Sequence, residues 1–140
     1  MIKLLIIITF LVGCSSVKNK NTQAIISQDT ISRTQSIGYD YVELVNKSLN
    51  HNKHSLSKLF WLTTHAGYDG IASDSHSGIL GEILRRTGDD YFGKTLALES
   101  NETQKEVIEM LFYDFGFGNS KSITAEQLKE WYPLTFKYHN

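Results

Sequence analysis

The stretch VIEMLFYDF, residues 107–115, decides the fold class. Val107, Ile108, Leu111, Phe112 and Phe115 recur at the spacing that lines one side of a 3.6-residue helix, so this segment reads as an amphipathic helix and not as a half-buried strand. The same period holds upstream. Ile79, Leu80, Ile83 and Leu84 repeat it, Leu56, Leu59, Phe60 and Thr63 repeat it again, and Tyr39, Val42, Val45 and Leu49 begin it. Period 3.6 describes every apolar segment from residue 39 onward better than period 2 does.

Capping residues set the boundaries. Thr124-Ala-Glu-Gln127 is a capping box, with Ile123 and Leu128 placed for a hydrophobic staple. Asn101 is set to cap toward Gln104, and Asp89 or Asp90 to open a helix through Tyr91, Phe92 and Leu96. Gly88 and Gly116 fall where a left-handed C-cap residue is wanted, and Pro133 stops the last helix. Six helices are expected, at about 39–50, 54–66, 75–87, 89–99, 101–115 and 124–132. Short connections favour antiparallel neighbours or tight corners. The tail places Leu134 and Phe136 to pack back. The fold expected is all-α, a compact bundle or solenoid-like stack of five to six short helices over residues 37–140, after a flexible N-terminal leash.

Length and composition agree with that reading. A chain of 140 residues, 41% hydrophobic and 21% charged, has the make-up of one modest globular domain. A formal net charge of −1 offers no basic face to neutralise phosphate, so nucleic acid is not an expected partner.

The first sixteen residues carry an address. Lys3 precedes the apolar run Leu4–Val12, LLIIITFLV. As a helix this run would span about 14 Å against a hydrocarbon core of about 30 Å, so it suits export and removal rather than spanning. It ends in Leu11-Val12-Gly13-Cys14, which holds the single cysteine of the chain. This tetrad resembles the lipobox of bacterial lipoprotein precursors. The resemblance implies diacylglyceryl transfer to the Cys14 thiol, cleavage between Gly13 and Cys14, and acylation of the new amine. It divides the chain into a signal peptide over 1–13, a lipidated cysteine and tether over 14–36, and the helical domain over 37–140. It also implies a membrane partner through the lipid anchor and a place in the cell envelope. Ser15 follows the cysteine, where an Asp often retains such proteins at the inner membrane, so the outer membrane facing the periplasm is the expected site in a diderm source. From Ser15 to Ser36 the sequence is rich in Ser, Thr, Asn, Gln and Lys and offers little to offset the entropy of ordering. It reads as a leash, with Ile25–Ile26 as the pair able to start a short element that docks on the domain.

Chemistry concentrates in His65-Ala-Gly-Tyr-Asp69-Gly-Ile-Ala-Ser-Asp74-Ser-His76. His65 and Asp69 stand four apart, while Asp74 and His76 return from the next helix start, a donor set suited to zinc, manganese or iron. No His-Glu-x-x-His, calcium loop or Gly-x-Ser-x-Gly elbow accompanies them. The simpler expectation is an interhelical loop, with Ser73 or Asp74 capping the next helix. Paired carboxylates from Glu82, Asp89, Asp90, Glu99 and Glu102 read as caps and dipole partners. Phe112-Tyr-Asp-Phe-Gly-Phe117 is rich in aromatics; Tyr113 and Phe117 are binding candidates if they lie outside the buried stripe, and the simpler expectation is that both fold back on the core. Arg85 and Arg86 read as a solvated face, and Trp61 and Trp131 as core or core-edge anchors. The leading expectation is a lipid-anchored, non-enzymatic interaction module with an envelope protein as partner and no cofactor. The alternative is a small metal-dependent or acid–base hydrolase using His65, Asp69, Asp74 and His76.

Overall fold

The structure is a computed structural model describing residues 25–117 and 123–138, apart from the side chains of Phe117 and Tyr138. The fold is all-α, and no strand occurs among the described residues. Seven helices run in chain order, α1 (Gln28–Ser36), α2 (Tyr41–Leu49), α3 (Lys53–His65), α4 (Gly70–Thr87), α5 (Asp89–Leu96), α6 (Asn101–Phe117) and α7 (Ala125–Trp131), followed by a 3₁₀ turn at Phe136–Tyr138. None of the described helices is long and apolar enough to cross a membrane.

Four helices form a ring. α2 packs on α3, α3 on α6, α6 on α4 and α4 on α2, so that α3 and α4 stand diagonally across the core. α1 covers α4 and α2, and α5 covers α3 and α4. Inside lie the residues that carried the helical period, with Leu56, Leu59, Phe60, Ile79, Leu80, Ile83, Val107 and Leu111 all sealed from solvent. In α2 the stripe is turned from the expected one. Tyr41, Val45 and Ser48 are buried, while Val42 and Leu49 only flank the core. Tyr41 displaces Tyr39 because its hydroxyl finds a partner inside, His76.

The helical body starts at residue 28 and not at 37. The last nine residues of the expected leash form α1, opened by Ser27, whose side chain accepts from the Thr30 amide. Ile26, Thr30 and Thr34 are buried. The threonines go under because their hydroxyls are satisfied there. Thr30 Oγ1 donates to the Ala72 carbonyl at 3.2 Å, and Thr34 Oγ1 donates to the Thr30 carbonyl at 2.8 Å. Thr34 Oγ1 also lies 2.6 Å from the Tyr68 hydroxyl. Ser27 meets Ser75, Thr30 meets Ala72 and Arg33 meets Asp69, so α1 runs antiparallel to α4. The remainder of the expected leash, 15–24, lies outside the described residues.

Other boundaries move for local reasons. α4 begins at Gly70, and Ser73 and Asp74 sit within it instead of capping it. Ser100, not Asn101, caps α6 by accepting from the Thr103 amide at 3.2 Å. Gly116 is carried inside α6, whereas Gly88, at φ +84°, ends α4 as expected. The Thr124–Gln127 capping box is formed in both directions. Asp89 reaches away from its own helix, and its carboxylate accepts from the Leu134 and Thr135 amides, both at 2.8 Å. That clamp draws the tail over Gly93 and buries Phe136, while Leu134 stays partly exposed. α4 and α6 meet closely at Gly81, where the Asp114 carboxylate fills the space a side chain would take and pairs with Arg85 at 2.8 Å. Arg85 is therefore a packing residue, lying over the Phe115 ring, and not part of a purely solvated face.

Candidate functional site

The four residues of the 65–76 segment do not converge. His76 is fully buried on α4, with Nδ1 2.7 Å from the Tyr41 hydroxyl and Nε2 3.0 Å from Thr63 Oγ1. The Tyr68 ring packs 4.7 Å away, and burial pushes the imidazole pKa down to about 3. His76 is thus a neutral polar link in the core. Asp69 holds Arg33 at 2.7 Å from an exposed position. Asp74 accepts from Tyr113, which raises the phenol's pKa by stabilising its protonated form. His65 closes α3, stacked on Trp61 at 4.1 Å with Nδ1 2.9 Å from the Trp61 carbonyl. Among the described residues no three His, Cys, Asp or Glu side chains gather in a way that would hold a metal ion. The hydrolase reading loses the constellation on which it rested. His76 stands three, four and seven residues before Ile79, Leu80 and Ile83, so it shares their buried stripe on α4, away from the exposed His65.

A different grouping lies on the outer side of α3. The helix buries Leu56, Leu59, Phe60 and Thr63, which leaves His54, Ser57, Lys58, Trp61 and His65 along the opposite flank. Tyr39, in the turn before α2, meets Trp61 edge-on at 6.0 Å. The Lys58 ammonium sits 4.6 Å over the Trp61 ring and 4.7 Å over the Tyr39 ring, and donates to the Tyr39 hydroxyl at 3.2 Å. The stack runs Tyr39, Lys58, Trp61, His65. Beside it, His54, Ser57, Lys58, Trp61 and Glu99 line an open cleft of about 130 Å³. Ser57 donates to the Glu99 carboxylate, which fixes the turn between α5 and α6 against α3.

These residues present hydrogen-bonding groups, a cation and aromatic surface that are already ordered before anything binds. Cation–π contacts and ring stacking hold the side chains, so little rotamer freedom remains to be lost on binding. Trp61 is at the core edge, as its type suggested, whereas Trp131 is half exposed on α7. The grouping itself was missed in the sequence, although its signal was present as a second stripe at 54, 57, 58, 61 and 65, set against the apolar one. Of the other candidates, Tyr113 is exposed on α6. Gly13, Cys14 and the side chain of Phe117 lie outside the described residues. Comparison of the chain with protein-family models, with curated proteins and with solved structures gives no match.

Proposed function

We propose that the chain is a lipid-anchored protein of the bacterial envelope, held through Cys14, whose helical body is a non-enzymatic module that binds another envelope protein through the outer side of α3. The observation that carries the binding role is the ordered Tyr39–Lys58–Trp61–His65 stack beside the cleft at Glu99. Aromatic side chains dominate the energetics of protein interfaces, and preordered ones most of all. The anchor rests on the Leu11–Cys14 tetrad. In a diderm source Ser15 directs the protein to the outer membrane, facing the periplasm.

Cross-linking in intact cells, with a photoreactive residue at position 54, tests the binding face. A discrete adduct is expected with the wild-type stack. Lys58→Glu should weaken it about thirtyfold, corresponding to the loss of about 2 kcal/mol typical of an interface hot spot. An adduct of equal yield in the variant, with helical content unchanged, would place the binding face elsewhere.

A further inference from the structure

We infer that the surface around the first turn of α4 rests on the lipid headgroups, so that the body has a fixed bottom and the α3 stack faces away from the membrane. This rests on the lipid-anchor reading of Cys14.

Three large apolar or aromatic side chains border that turn. Ile71 is 71% exposed, Ile25 is 62% exposed and Tyr113 is 44% exposed. Hydrogen bonds fix their proximity. Ser75, one helical turn beyond Ile71, donates to the Ile25 carbonyl at 3.2 Å and accepts from the Ser27 amide at 2.9 Å. Asp74, beside it, is the acceptor for Tyr113. The three side chains therefore surround the start of α4, where both acids are engaged, Asp74 by the Tyr113 phenol and the N-cap Asp69 by Arg33. Isoleucine and tyrosine at one level suit the boundary between headgroup and acyl chain.

The occupant is set by where the chain enters. Ten residues, Ser15–Ala24, separate the expected anchor from Ile25. The span from Cys14 to Ile25 reaches at most about 40 Å when fully stretched, and a body of this size is about 35 Å across. Because α1 is docked, the connection is half the length that the polar composition of 15–36 suggested. It joins the body at the patch itself, through Ile25. The surface closest to the point of attachment is thus also the one that exposes apolar groups. In sequence, Lys18 and Lys20 fall between Cys14 and Ile25, a charge suited to anionic headgroups. Since α3 stands diagonally across the core from α4, a membrane under α4 leaves the outer flank of α3 toward solvent.

The test uses the protein as processed by its host, reconstituted into vesicles of phosphatidylethanolamine and phosphatidylglycerol. Single variants Ile71→Cys and Lys58→Cys carry a fluorophore, and quenching is read from a nitroxide on the lipid headgroup. Quenching at position 71 several-fold stronger than at position 58, and reduced to the level of position 58 by adding Ile25→Glu, is the expected result. Mass spectrometry of the same samples reads the state of Cys14. A lipidated Cys14 with equal quenching at both positions overturns the orientation and leaves the anchor standing. An unmodified Cys14 thiol overturns both.

Discussion

His76 shows how a single residue can move from a candidate reactive group to a structural one. Its ring is sealed between Tyr41 and Thr63, and burial holds its pKa near 3 against an ordinary 6.5. The unfolded chain therefore takes up a proton near pH 6.5 that the folded chain refuses. Stability from this group is complete above pH 6.5 and declines as the pH falls from there toward 3, by at most about 1.4 kcal/mol per unit. Urea titrations between pH 7 and 4 should show this decline. A His76→Gln variant, less stable at pH 7, should show a shallower one, and an equal slope in both proteins would contradict the assignment. Gly81 makes a second prediction at this scale. A Cβ there would fall 2.0 Å from Asp114 Oδ2, so Gly81→Ala must drive the carboxylate from Arg85. A loss of about 1–3 kcal/mol is expected in chemical denaturation. Most of that cost should vanish in the background of Asp114→Ala, where the space is free.

At the scale of elements, the apolar periods of α3, α4 and α6 were legible because burial of aliphatic side chains sets them. α1 was not legible by the same rule, since two of its three buried anchors, counting Ile26 just ahead of it, are threonines. Composition marks threonine as polar, whereas hydrogen bonding to Ala72, Thr30 and Tyr68 makes it a core residue. Thr34→Val keeps the shape but leaves the Tyr68 hydroxyl without that partner. It should cost about 1–2 kcal/mol in thermal or urea unfolding, where a purely steric role would predict no loss. The tail was legible only in part. Phe136 announced itself by type, but the clamp from Asp89 links residues more than forty positions apart and leaves no local mark. Gly93→Ala would bring a Cβ within 2.8 Å of the Leu134 and Thr135 backbone. The expected outcome is faster proteolysis near residue 134, with the cleavage rate of the remainder unchanged. The α3 stack was hidden for another reason. Its side chains are individually ordinary, and only the packing of Tyr39 and the α5–α6 turn against one flank of α3 assembles them.

Across the whole molecule, one core joins first and last elements. Ile26 ahead of α1, Leu128 of α7 and Phe136 of the tail belong to the same buried cluster as the ring of four helices. Unfolding should therefore be a single transition, as for most domains of this size. The two tryptophans report from different regions, Trp61 on α3 and Trp131 on α7. Separate variants Trp61→Phe and Trp131→Phe should give coincident fluorescence midpoints in urea. An earlier midpoint for the Trp131 signal would show that α7 detaches on its own.

The seat of α1 has a consequence for the order in which the chain gains its shape. Contacts of α1 and its N-cap Ser27 with Gly67, Asp69, Ala72 and Ser75 join residues 34 to 48 positions apart. A polypeptide that emerges from its amino end, whether from a ribosome or through a pore, exposes α1 well before the first turns of α4 are synthesised or delivered. The seat of α1 is complete once residues 67–75 have followed it, ahead of α5, α6 and α7. Until then the faces of Thr30 and Thr34 that the fold buries remain open to a chaperone.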